Sequence, residues 1–140
     1  MSTETPAGSP PSRRQLLGRG LLKRCPACGQ GKLFRRWLIM SPSCPRCGLV
    51  FERIEGHWVG AVGINTIVSF GSLLVVLIVG VLATFPDIAV VPLVALSVGT
   101  AVLVPLLFDP ISRTLWTGID IAMRPLEPFE VDWTQLQRNG

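Results

Sequence analysis

Four cysteines are the residues of this chain best suited to chemistry. They form two pairs, Cys25-Pro26-Ala27-Cys28-Gly29 and Cys44-Pro45-Arg46-Cys47-Gly48, with fifteen residues between the pairs. Two Cys-x-x-Cys units at this separation fit a single four-thiolate metal site. In each unit the proline fixes φ near −65° and starts a tight turn. The glycine that follows can take positive φ, so the chain folds back and turns backbone N–H groups toward the thiolates. Cys25, Cys28, Cys44 and Cys47 are therefore the expected ligands, and zinc is the expected metal. Iron in a rubredoxin-like site takes the same four ligands. Four cysteines close the coordination sphere, which argues for a structural rather than a catalytic ion. A thiol redox pair would need a thioredoxin-like βαβ pattern, and neither pair has one around it. Zinc with four thiolates carries a net charge of about −2, which Lys23, Arg24, Lys32, Arg35, Arg36 and Arg46 are close enough in sequence to offset.

The elements that must position these thiols are short. Residues 33–40 mix β-formers with arginines and read as a strand or hairpin arm. Residues 49–54 read as its partner, with Leu49, Phe51 and Arg53 on one face and Val50, Glu52 and Ile54 on the other. A module spanning residues 25–56 buries little core, so metal binding supplies much of its folding energy.

The rest of the chain is divided sharply. Hydrophobic residues make up 49% of the sequence and charged residues 16%, but the average hides a block over residues 59–108 with no Lys or Arg and Asp87 as its one acid. That block is long enough to cross a bilayer twice, with spans at about 60–85 and 88–108 and a turn at Phe85-Pro86-Asp87. Residues 1–58 hold ten of the thirteen basic side chains. The positive-inside rule places both termini in the cytoplasm and the protein in the cell (inner) membrane. There thiols stay reduced, which argues against disulfides. Residues 1–24 read as a disordered tail and a basic segment attracted to anionic lipid. The twin-arginine-like SRRQLL at residues 12–17 lacks the apolar core that an export signal needs. Asp109-Pro110 reads as an N-cap and first helical position. It opens an amphipathic helix over 109–124 with Ile111, Leu115, Ile119 and Ala122 against the bilayer, and an Asp120–Arg124 pair on its polar side. Residues 125–140 read as a mobile acidic tail with Phe129 and Trp133 as contact points. The expected fold is thus membrane α-helical: a two-span transmembrane hairpin with a small N-terminal zinc-ribbon-like β module and a C-terminal amphipathic interfacial helix.

Two polar features in the apolar block have a functional and a packing reading. His57, the single histidine, sits beside Trp58 and reads as an interfacial residue rather than a fifth ligand. Asn65, Ser69 and Ser72 share one helical face. They read as helix–helix packing, since no ionisable residue joins them to make a proton path.

The motifs CPACGQGKLF, CPRCGLVFER, EGHWVGAVGIN and PISRTLWTGIDI, in that order over residues 23–125, resemble the bacterial family of uncharacterised membrane proteins called DUF983, in its actinobacterial form. The resemblance implies an inner-membrane protein with a cytoplasmic Cys-x-x-Cys pair motif and no settled activity. Some proteobacterial members are encoded near cytochrome oxidase assembly genes, which implies a role in building membrane complexes.

Three functions follow. The first is a non-enzymatic adaptor for a membrane protein complex, acting through a membrane-protein partner or a second copy. It accounts for the closed site and for the absence of a Ser/His/Asp set or carboxylate pair. The second is thiol-based metal handling or delivery. The third is membrane-tethered nucleic-acid binding through Lys23, Arg24, Arg35, Arg36 and Trp37, which the position beside a bilayer disfavours. Transport is weaker still, because two spans make no pathway alone.

Overall fold

Two long helices dominate the architecture. The computed structural model describes residues 11–132, so most of the expected N-terminal tail, and Trp133, lie outside the described residues. In chain order the elements are α1 (Arg13–Leu21), β1 (Phe34–Arg36), β2 (Ile39–Met40), α2 (His57–Thr84) and α3 (Val90–Met123). Gly60 lies against Trp116, Asn65 reaches Pro105, and Gly80 lies against Leu93, so α2 and α3 run antiparallel. Both are long and apolar enough to cross a membrane.

The helix expected to begin at Asp109 does not begin there. It is the continuation of the second apolar segment, and α3 runs unbroken through Pro105 and Pro110. A proline inside a helix leaves the carbonyl four residues earlier without its usual donor. For Pro110 that carbonyl belongs to Leu106, and the Trp37 indole N–H donates to it at 3.4 Å. Asp109 does not cap; its carboxylate accepts from Arg113 Nε at 2.9 Å, one turn on. At 1.5 Å per residue α3 is ~51 Å long and α2 ~42 Å, against ~30 Å for a bilayer's hydrocarbon core. α3 is therefore longer than one crossing of such a layer needs, and its last turns continue the same helix axis instead of forming a separate one.

These last turns also bury the opposite face from the one expected. Ser112, Thr114, Thr117 and Asp120 are buried, while Ile111, Leu115, Ile119 and Ala122 are half-buried. The reason is α1, which packs across α3. A capping box starts α1: the Ser12 hydroxyl accepts from Gln15 N–H at 3.4 Å and the Gln15 side chain accepts from Ser12 N–H at 3.1 Å. The two helices touch backbone to backbone at Gly20 and Gly118. A Cβ on Gly118 would sit 2.8 Å from the Leu16 carbonyl, and one on Gly20 would sit 2.9 Å from Leu115 Cα. The Thr114 hydroxyl donates at 2.6 Å to the Gly20 carbonyl, which also accepts from the Lys23 N–H at 3.2 Å, so the end of α1 is tied to α3.

The β module is smaller than expected. Residues 33–40 fold on themselves, with β1 and β2 antiparallel and Phe34 opposite Met40. Residues 49–54 join by one bridge, Val50 to Ser43, instead of a full strand. Their alternation holds: Leu49 and Phe51 are buried, Val50 and Ile54 exposed. The core gathers Leu33, Leu49, Phe51 and cysteines of the module with Leu16 of α1, Ile121 of α3 and Val131. The module thus borrows from both ends of the chain the apolar surface that its own length lacks.

Val131 belongs to the segment expected to be mobile. Instead, residues 126–131 return to the module. Arg53 donates to both Glu130 carboxylate oxygens at 2.7 and 2.8 Å, and Asp132 N–H donates to the Cys47 carbonyl at 2.8 Å. Arg53 also reaches Asp120 at 2.9 Å and the Arg124 carbonyl at 3.1 Å. Asp120 therefore pairs with Arg53, not with Arg124 as helical spacing predicted. Phe129 is exposed.

Candidate metal centre

The two cysteine units have the same local structure. In the first, Cys25 N–H donates to the Gln30 carbonyl at 2.8 Å and Gly29 N–H to the Cys25 carbonyl at 2.8 Å. In the second, Cys44 N–H donates to the Leu49 carbonyl at 2.9 Å and Gly48 N–H to the Cys44 carbonyl at 3.0 Å. Gly29 and Gly48 have φ of 76° and 72°, the left-handed region that a residue without Cβ enters freely. Each unit is thus a closed loop that fixes its two thiols before any partner arrives.

The loops face each other. Cys25 Sγ is 3.7 Å from Cys47 Sγ, Cys28 Sγ is 3.6 Å from Cys44 Sγ, and all four sulfurs lie within 4.8 Å of one another. A tetrahedral ion with metal–sulfur bonds of ~2.3 Å requires sulfurs ~3.8 Å apart. A disulfide requires ~2.05 Å. The spacing fits four ligands around one ion and none of the possible disulfides. Among the described residues this is the one cluster of side chains able to hold a metal.

Thiols this close perturb one another. The hydrogen bond from Cys25, its largest influence, pulls Cys28 down to about 7. Cys44 is held lower still, again chiefly by Cys25. Cys25 is pushed well up, first by its contact with Cys28 and then by Cys44 and Cys47. Left alone, the four cannot all ionise together; a cation at their centre removes that conflict.

The surroundings are well defined. Cys25, Cys44 and Cys47 are buried and Cys28 is half-exposed. Arg19 of α1 donates to the Pro26 and Ala27 carbonyls at 3.1 and 3.0 Å and so clamps the first loop. Arg19 is absent from the charge-offsetting residues expected from sequence, because it lies on a helix that nearness to the cysteines did not reveal. Of those expected residues, Arg24, Lys32, Arg35 and Arg36 are exposed and Arg46 is half-buried.

The other polar features are structural. His57 is buried, not interfacial, with Nε2 3.4 Å from the Thr117 hydroxyl and its ring edge-on to Trp58 at 5.5 Å. Ser69 and Ser72 turn back to carbonyls of their own helix, at 2.7 Å in each case. Asn65 Nδ2 donates across to the Pro105 carbonyl at 3.2 Å. The face expected to serve helix packing thus contributes one cross-helix bond, and its serines donate within α2.

Fold and site together define a small head, with four cysteines placed so that they could hold a metal ion, carried on a pair of long apolar helices. The chain belongs to the family of proteins of unknown function DUF983, whose model matches residues 34–120. The match includes Cys44, Cys47, all of α2 and α3 as far as Asp120, and begins after Cys25 and Cys28. No curated protein and no solved structure matched the chain.

Proposed function

We propose that this protein is a non-enzymatic adaptor of the cell (inner) membrane. Its α2–α3 hairpin spans the bilayer, both termini are cytoplasmic, and a zinc ion held by Cys25, Cys28, Cys44 and Cys47 stiffens the head. The observation that carries this reading is where the four thiols sit. They lie in a core to which α1, the β module, the projecting end of α3 and residues 126–131 all contribute. An ion there ties four separate parts of the chain into one rigid body. That suits a docking platform for a membrane-protein partner better than a reaction centre. Purified protein is expected to hold one zinc per chain; a stoichiometry well below one, without loss in preparation, overturns the metal assignment. Affinity purification from native membranes tests the adaptor role. Wild type should retain a defined membrane-protein partner that Cys44→Ser loses while staying in the membrane.

One observation favours a second reading, metal delivery. Cys28 alone among the ligands reaches the surface, where an acceptor thiol can approach. A structural site holds zinc against a mild chelator for hours, whereas a delivery site exchanges it within minutes.

A further inference from the structure

We infer that the turn of the β1–β2 hairpin, with the end of α1 beside it, grips the phosphate headgroups of anionic phospholipids. The inference rests on the reading that α2 and α3 span a bilayer. Its first support is position. The Trp37 indole is bonded to the Leu106 carbonyl, and Leu106 and Leu107 are exposed members of the apolar surface of α3. The hairpin turn is therefore level with the edge of that surface, not out at the far end of the head. Its second support is exposure. Trp37 is 59% exposed, Leu22 69% and Leu21 52%, with Leu38 and Ile39 also open. These side chains continue the apolar belt of the helices, in the zone where tryptophan collects at a membrane.

Charge supplies the third support. Lys23 stands 5.0 Å over the Trp37 ring, and Arg24, Arg35 and Arg36 are exposed around it. The sequence has no acid between Glu4 and Glu52. Among the described residues the ion pairs use Arg53 and Arg113, and none of these four. Basic groups flanking an apolar wedge match a layer of phosphates above acyl chains. A single-stranded nucleic acid would need a free aromatic face for stacking. Trp37 instead has Lys23 over one face of its ring and its N–H on the Leu106 carbonyl, which holds the indole beside the apolar surface of α3.

The same geometry provides a control. Arg13 lines a shallow cleft with Ile119 and Met123. Along α3 that is thirteen or more residues past Leu106, or ~20 Å. Arg13 and Arg14 therefore stand away from the proposed headgroup layer.

The test uses the zinc-loaded full-length chain in phosphatidylcholine proteoliposomes. Electron spin resonance of spin-labelled lipid reads the association of phosphatidylglycerol relative to phosphatidylcholine. Wild type should prefer phosphatidylglycerol. Arg35→Gln/Arg36→Gln should lower that preference several-fold, up to about fivefold per charge removed near an anionic surface. Arg13→Gln/Arg14→Gln should leave it unchanged. Zinc content equal to wild type establishes that each head is folded. Equal preference in the hairpin variant, or an equal loss in the Arg13/Arg14 variant, overturns the inference. So does a fluorescent oligouridylate that binds the liposomes at physiological salt and is lost with Arg35 and Arg36. Alkaline extraction separates the two levels. If wild type is released from membranes, the spanning reading fails; if it stays but shows no lipid preference, only the headgroup site fails.

Discussion

The two halves of α3 bury opposite kinds of side chain. Between Val90 and Phe108 every large aliphatic residue is exposed or half-buried, and the Ser97 and Thr100 hydroxyls turn inward to carbonyls of their own helix. Between Pro110 and Ile121 the buried residues include Ser112, Thr114, Thr117 and Asp120. One unbroken helix thus shows apolar groups outward at one end and hides polar groups at the other. The first half suits a hydrocarbon surround, which accepts leucine and valine but offers nothing to a hydroxyl. The second half has protein for its surround, and three of its buried polar side chains reach partners outside the helix: Thr114 the Gly20 carbonyl, Thr117 the His57 ring and Asp120 the Arg53 guanidinium. The comparison teaches that the head is not an independent domain on a tether. Its foundation is the polar end of a helix whose other end is apolar outward and long enough to cross a membrane.

If the two regions depend on different forces, removing the metal should separate them. Structural zinc in small thiolate sites contributes ~10–16 kcal/mol of apparent binding free energy at neutral pH. Chelation of the detergent-solubilised protein should therefore abolish amide protection across residues 23–56. Protection of α2 and of residues 90–108 should persist, with helical circular dichroism almost unchanged. Equal loss in both regions would mean they fold as one unit, and the comparison would break.

The next effect tests the joint between head and helix. Arg53 is the hub that meets Asp120, Glu130 and the Arg124 carbonyl, and its side chain and that of Asp120 are 9% and 8% exposed. Arg53→Met leaves the Asp120 carboxylate buried without a counter-charge, a loss of ~3–5 kcal/mol. Arg53→Met/Asp120→Asn should recover much of it, because the stranded charge is gone. The urea concentration at which zinc is released reads both. A single variant that loses zinc at the wild-type concentration would show the hub to be decorative.

A smaller effect is expected where α1 meets α3. Gly118→Val places atoms against the Leu16 carbonyl, and backbone on both sides cannot yield as a flexible side chain would. Overpacking of this kind costs ~1–3 kcal/mol. Trypsin should then cut wild type slowly and the variant quickly at Arg19, whose clamp on the first cysteine loop opens as α1 lifts. Equal cleavage rates would show that α1 is not held by this contact.

What the sequence made legible follows from the range of the forces involved. The four thiols, the left-handed glycines and the two apolar helices are local consequences of residue type and spacing, and each was readable in order along the chain. The face alternation of residues 49–54 was readable for the same reason. The continuity of α3 was not. Asp109-Pro110 carries a sound helix-start signal, and only Trp37, far away in sequence, supplies the donor that Pro110 lacks. The buried face of residues 110–121 was misassigned because a polar stripe looks solvent-facing until its partners are known. Those partners are Gly20, at the end of α1, and Arg53, within the module. One local signal was present and unread: Ser12 and Gln15 form a capping box that announces α1.

The smallest effect probes the return of the C-terminal segment, and it depends on pH. Glu130 is held below its ordinary value of 4.5, first by its hydrogen bond from Arg53. A carboxyl whose folded value is lowered adds stability that is fully present above its unfolded value and is lost as pH falls through the folded one. The attachment of residues 126–131 should therefore be firm above about pH 5 and weaken below 4.5. Partial exposure limits the contribution of the pair to ~1 kcal/mol or less. The readout is exchange of the Asp132 amide, which donates to the Cys47 carbonyl at 2.8 Å. Wild type should be several-fold better protected than Glu130→Gln at pH 6, and the two should converge as the carboxyl takes up its proton. Acid also releases the metal from its thiolates in both chains, so the difference between them, not either alone, reports on Glu130. A difference that persists unchanged at low pH would show that the glutamine variant disturbs packing rather than charge. The acidic segment would then belong to the head through the burial of Val131 and the Asp132 amide rather than through the charge of Glu130.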